Sequence, residues 1–128
     1  MISSITANLM VESVTATLDF YENALGFARM VTVPDGADGI QFAIVGRDDQ
    51  LLMFQERQNL GQEYPTLATD QVRPGITLFI KVDDLAGFYA EVKDKVRILA
   101  DVHTTFYGAK EFAVADNNGY VLTMAENL

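Results

Sequence analysis

The chain repeats itself, and this constrains its fold more than any other feature of the sequence. ITANLMVESV (Ile5–Val14) lies over ITLFIKVDDL (Ile76–Leu85), with Ile5/Ile76, Thr6/Thr77 and Val11/Val82 identical. QFAIVGRDDQLLMFQE (Gln41–Glu56) lies over EFAVADNNGYVLTMAE (Glu111–Glu126) without a gap, with Phe42/Phe112, Ala43/Ala113, Leu52/Leu122 and Glu56/Glu126 identical. Between the blocks each half carries a Phe-Tyr pair, Phe20-Tyr21 and Phe88-Tyr89. Two blocks in the same order at nearly the same offset mark a duplicated module. The expected organisation is one domain of two modules, 1–56 and 76–128. They are joined by 57–75, whose polar, Gly- and Pro-containing sequence RQNLGQEYPTLATDQVRPG reads as a linker.

Each module reads as strand, helix, then three strands. Ile5–Val11 alternates, with Ile5, Ala7 and Leu9 on one side and Thr6, Asn8 and Met10 on the other. Ser13 is an N-cap, Val14, Leu18, Tyr21 and Leu25 follow at helical spacing, and Gly26 supplies a left-handed stop. Strands are expected at Met30–Val33, Gln41–Val45 and Leu51–Gln55, separated by the turn sequences PDGADG and GRDD. The second module matches: strand Ile76–Val82, a helix capped by Asp83 or Asp84, then strands Ile98–Asp101, Lys110–Ala115 and Tyr120–Ala125. One helix cannot cover both faces of a sheet. The fold class is therefore α+β, with two βαβββ modules in a pseudo-twofold arrangement forming a curved mixed sheet around a cleft.

Composition narrows the partners. The 128 residues carry 9 Lys+Arg against 18 Asp+Glu, a net charge of −9, which repels phosphate backbones and anionic lipid and attracts cations. Nucleic acid and membrane are excluded as partners on this reading. There is no Cys, so thiolate metal sites and disulfides are absent, and the one His, His103, cannot supply two imidazoles. No apolar run approaches the ~20 residues of a membrane span, and the N-terminus lacks the basic start of a signal peptide. A soluble cytoplasmic protein is expected.

The alternation assigns an apolar helix side: Ile5, Ala7, Leu9, Leu52, Phe54, Ile76, Leu78, Ile80, Leu122 and Met124. The opposite side is mixed and nearly free of charge, with Thr6, Asn8, Met53, Gln55, Thr77, Phe79, Phe112 and Thr123. Apolar walls with a few uncharged hydrogen-bonding groups suit a small-molecule cleft, and those eight residues are its expected lining. His103 and Tyr107, in VHTTFYG, are placed at the cleft mouth, His103 as a candidate base or hydrogen-bond donor. The competing reading of the same face is a second core or a subunit interface. Glu111, beside Phe112, is expected to point away from the cleft, and Glu56 sits in helix-side phase near a strand end.

FYENALGF (Phe20–Phe27) ending the first helix and DNNGY (Asp116–Tyr120) before the last strand, within paired strand-helix-three-strand modules, resemble the vicinal oxygen chelate superfamily. That superfamily holds glyoxalase I, extradiol dioxygenases, fosfomycin-resistance enzymes and bleomycin-resistance proteins. The resemblance covers the whole chain, although the hairpin motif has Asn117 where Pro is usual. It implies that four positions, one on the first and one on the last strand of each module, would carry His or Glu metal ligands. Here they are Thr6, Met53, Thr77 and Thr123, and the internal repeat pairs Thr6 with Thr77 and Met53 with Thr123.

Three hydroxyls and a thioether are neutral, weak donors for a divalent transition metal. The expected protein thus resembles the metal-free members: no metal, no cofactor, no assigned catalytic residue, and an aromatic or cationic compound sequestered as in bleomycin (antibiotic) resistance. The resemblance and the open sheet edges also imply a homodimer. The alternative is a glyoxalase- or dioxygenase-like enzyme, a lyase or isomerase, with a displaced metal on His103 and Glu111 or Glu56, or with acid/base chemistry through His103.

Overall fold

The computed structural model describes residues 1–127; Leu128, the last residue of the second module as read from sequence, lies outside them. The chain forms two compact units, Met1–Arg73 and Pro74–Leu128. In the first, β1 (Asn8–Val11), α1 (Val14–Leu25), β2 (Ala28–Pro34), β3 (Ile40–Arg47) and β4 (Gln50–Glu56) build a four-stranded sheet of order β1-β4-β3-β2. In the second, β5 (Thr77–Lys81), α3 (Leu85–Val92), β6 (Arg97–Thr104), β7 (Ala109–Ala115) and β8 (Val121–Asn127) repeat that order as β5-β8-β7-β6. In each, the first strand pairs with the last in parallel and the remaining pairs are antiparallel, giving the mixed α+β module expected from the repeat. No helix among the described residues is long and apolar enough to cross a membrane.

The helices form where caps and spacing direct them. The Ser13 hydroxyl accepts from the Ala16 N–H at 3.1 Å, and Gly26 ends α1 at φ 70°, a left-handed conformation that glycine adopts without a Cβ clash. Val14, Leu18, Tyr21 and Leu25 are all buried, and the Tyr21 ring lies 4.8 Å from that of Phe54 on β4. Asp84 rather than Asp83 caps α3, accepting from Gly87 N–H at 3.0 Å.

Three expectations change. Ile5 is 91% exposed, and it lies before the strand, since the ladder starts at Asn8↔Met53; Ile76 likewise precedes β5 and is exposed. The segment read as a linker contains α2 (Arg57–Glu63) and a short 3-10 turn, Pro65–Leu67. The Glu56 carboxylate caps α2, accepting from Gln58 and Asn59 N–H at 2.7 and 3.0 Å. Gly61 is a packing position: a Cβ there would stand 3.1 Å from the Cα of Ala68. The segment is then tied to the first unit, since Arg57 donates to Glu12 and to the Thr69 carbonyl, and Val72 N–H donates to Glu12. Those contacts, the Val72 amide first and the Arg57 guanidinium second, hold the Glu12 carboxyl below its ordinary range.

The third change is register. Phe42 and Phe112 are counterparts in the repeat, yet Phe42 pairs with Gln55, and Phe112 pairs with Met124, the counterpart of Phe54. The β3–β4 hairpin turns on two residues, Asp48 and Asp49, both at positive φ. The β7–β8 connection instead runs through Asp116–Tyr120, where Asp116 accepts from Asn118 and Tyr120 N–H at 2.8 and 2.9 Å. That different turn carries β7 one residue out of step with β3, and a slip of one residue reverses every side chain. Phe112 therefore packs under α3, with ring centroids 5.1 Å from Tyr89 and 6.3 Å from Phe88.

Candidate functional site

In the first unit the sheet face away from α1 carries a pocket of about 370 Å³, lined by residues of β1 to β4 and α2. Gln55 is its hub. The residue is 5% exposed, and its side chain reaches three elements: Oε1 accepts from Asn8 Nδ2 at 2.9 Å, and Nε2 donates to Asn59 Oδ1 at 2.7 Å and to Glu63 Oε1 at 2.8 Å. Asn59 Nδ2 continues the chain to Gln41 Oε1 at 3.2 Å. Val33, Phe42 and Tyr64 supply the apolar and aromatic walls. Buried polar groups are tolerated only when paired, and this network pairs each carboxamide it contains.

Two of the expected cleft residues, Asn8 and Gln55, are thus brought together here. Met53 lies half-buried on β4 and its N–H donates to the Ala7 carbonyl at 2.9 Å, while Thr6 stands just before β1. Asn59, Glu63 and Tyr64 were passed over because their segment was read as linker, and Val33, Gln41 and Phe42 because the strands that carry them were assigned no face. The signal was present: Asn59 and Glu63 stand four residues apart, the spacing of one helical face.

In the second unit Phe79 and Thr123 are register partners on β5 and β8, with Phe79 57% exposed and Thr123 half-buried; Thr77 begins β5 and is exposed. Phe112 is fully buried on the helix side and is not part of this face. The same register brings Glu111 to it, against the expectation that Glu111 points away. Glu111 is 7% exposed and accepts a hydrogen bond from the Tyr107 hydroxyl. His103 stands opposite Glu111 in the β6–β7 ladder and is exposed, with Nδ1 2.7 Å from the Asp101 carbonyl oxygen. A carbonyl only accepts, so Nδ1 carries the proton.

The hydrogen bond to Glu111, then burial, pushes the Tyr107 phenol above its ordinary range, and the bond to Asp101 at 2.8 Å does the same for Tyr89. A raised folded-state value favours the protonated phenol in the fold. That contribution to stability is present below about pH 10 and is lost as pH rises through the raised folded-state value. Ultraviolet titration of the folded protein should show Tyr107 and Tyr89 ionising late, and Tyr107→Phe should remove one late-ionising phenol.

Thr6 and Met53 in the first unit, and Thr77 and Thr123 in the second, occupy the positions where the resemblance implies metal ligands. Hydroxyl and thioether groups carry no charge to offset the loss of an ion's hydration, so this donor set does not fit a divalent transition metal. Glu56 is engaged in capping α2 and Glu111 in holding Tyr107. Among the described residues no three His, Cys, Asp or Glu side chains cluster in a way that could hold a metal ion.

Duplicated βαβββ modules, each with one helix on its sheet and the first strand parallel to the last, define the class of fold. The Glyoxalase/Bleomycin resistance protein/Dioxygenase superfamily profile matches residues 2–124, and the chain belongs to that superfamily. Similar solved structures include TioX from Micromonospora sp. ML1, at 16% identity and TM-score 0.78, covering 99% of this chain and 100% of that one. A glyoxalase/bleomycin resistance protein/dioxygenase from Nocardioides has 16% identity and TM-score 0.80, over 100% and 85% of the two chains. An integron cassette protein from the V. cholerae mobile metagenome has 23% identity and TM-score 0.68, over 98% and 96%. These likenesses are of fold. No curated protein matches the chain.

Proposed function

We propose that this chain is a metal-independent small-molecule-binding protein of the glyoxalase/bleomycin-resistance type, which sequesters an aromatic or cationic organic compound. The observation that carries the reading is the neutral side chains at all four positions where the resemblance implies metal ligands, Thr6, Met53, Thr77 and Thr123. The pocket on the first unit supports it. At about 370 Å³ it is within the usual range for small-molecule sites, and it joins aromatic walls to a paired amide network. The net charge of −9 favours a cation over an anion as the guest. A cytoplasmic homodimer completes the proposal, and light scattering on the purified protein tests the dimer.

Metal analysis of the purified protein, followed by titration with Ni²⁺, Zn²⁺ and Mn²⁺, is the direct test. Substoichiometric metal and no binding tighter than about millimolar are expected from donors this weak. Stoichiometric metal held at micromolar affinity would defeat the reading. Native mass spectrometry of protein taken from its own host should reveal a retained organic molecule.

One observation favours the enzymatic alternative: His103 stands opposite Glu111, to which Tyr107 is bonded. A proton relay would need that trio, whereas a binding protein would not. His103→Gln is therefore expected to leave retention of the organic molecule unchanged.

A further inference from the structure

The pocket on the first unit has a chemical polarity that one residue sets. A carboxylate accepts hydrogen bonds and donates none, so the Gln55 atom facing Glu63 must be its NH₂ group. Gln55 Oε1 is then turned to Asn8, which must answer with Nδ2. The second proton on Gln55 Nε2 requires Oδ1 from Asn59, and this leaves Asn59 Nδ2 to meet Gln41 Oε1. A single charge on α2 thus orients four carboxamides on β1, β3, β4 and α2. What remains on the lining residues is neutral except at one place: the Asn8 Oδ1 acceptor, the second protons of Asn8 Nδ2 and Asn59 Nδ2, the Gln41 Nε2 protons and the Tyr64 hydroxyl carry no charge, whereas the second carboxylate oxygen of Glu63 does. The Phe42 and Tyr64 rings line the same pocket, and Tyr64 is 52% exposed at its rim.

The one charged group of the lining, Glu63, is an acceptor, and it favours a guest that brings positive charge and N–H donors to it. Aromatic walls favour a flat one, and a cation over an aromatic face gains further. We infer that this pocket selects a planar organic cation bearing N–H donors, of the aryl-amidinium kind, and that Glu63 anchors it. The inference rests on the reading of this pocket as a small-molecule site, and it adds the class of guest and the residue that discriminates it. An anionic guest would face Glu63 and the Asn8 carbonyl with no cation to receive it, and it is refused.

The test is an NMR titration of the full chain with three probes of one shape: benzamidine, benzamide and benzoate. Benzamidine should move the side-chain amide signals of Asn8, Gln41, Gln55 and Asn59 and bind about tenfold tighter than benzamide, the difference one charge-assisted hydrogen bond makes. Benzoate should leave those signals in place. Glu63→Gln keeps an acceptor for Gln55 while removing the charge. It should weaken benzamidine about tenfold, leave benzamide nearly unchanged, and preserve the thermal midpoint. Benzoate binding as well as benzamidine, no probe moving the amide signals, or benzamidine indifferent to Glu63→Gln would each overturn the inference. An organic molecule retained from the host alongside any of those results would leave the proposed function standing, whereas stoichiometric transition metal would remove that function itself.

Discussion

Phe112→Ala should lower the unfolding free energy by about 3–5 kcal/mol, the usual cost of emptying a buried aromatic site. Against the roughly 5–15 kcal/mol that holds a domain of this size together, this is the largest stability effect expected from one residue of the second module. Phe112 is fully buried and packs on the Phe88 and Tyr89 rings of α3, so truncation leaves a cavity that rigid neighbours fill poorly. Phe42→Ala, at the repeat counterpart, should cost only about 1–2 kcal/mol, because that ring is half-buried and its loss removes less apolar contact. Paired urea unfolding curves decide the matter, with Phe112→Leu measured alongside should the alanine variant fail to fold. Equal costs at the two positions would mean that β7 is not displaced in register.

Gln55→Glu is the second change with a large expected effect. It replaces the NH₂ that sits 2.7 Å from Asn59 Oδ1 and 2.8 Å from Glu63 Oε1 with an oxygen, so that acceptors face acceptors and two carboxylates meet at a 5% exposed position. An uncompensated buried charge costs about 3–5 kcal/mol, and that is the destabilisation expected near neutral pH. The sign with pH follows from the repulsion. Like-charge contact and burial raise the folded-state pKa of the introduced carboxyl above its unfolded value, so the penalty is full at neutral pH and shrinks as acidification protonates the pair. Thermal melts of the variant and parent across that range should converge on the acid side. A constant difference at all pH values would mean that Gln55 and Glu63 are not in contact.

The duplicated module could be read from Ile5–Val14 over Ile76–Leu85 because alternation and helical spacing are local properties of a chain. Ser13, Gly26 and Asp84 act where their chemistry suggests, each within a few residues of the groups they satisfy. The side to which Phe112 and Glu111 point was not legible. Alternation states that neighbours face opposite ways, and only the pairing with β8 states which way each faces. The Asp116–Tyr120 turn controls that pairing, and its hydrogen bonds carry no signature in the identity of Phe112.

The candidate pocket divides in the same manner. Asn8 and Gln55 were found by phase along their strands, but Asn59 and Glu63 fell in a stretch whose Gly and Pro content suggested no helix. Packing of Gly61 against Ala68, and the cap that Glu56 provides, make that stretch helical and bring its polar face to Gln55.

By itself the sequence determined the order of elements, the duplication, the superfamily and the neutrality of the four positions where relatives would place metal ligands, since each follows from residue type and spacing. Tertiary structure alone decided that Phe112 is core, that Glu111 stands with Tyr107, and that one carboxylate on α2 polarises carboxamides drawn from three strands. The reason is range: Asn8 and Gln55 meet across 47 residues and Gln41 and Asn59 across 18, and contacts at that distance are set by strand register and turn geometry rather than by any local pattern.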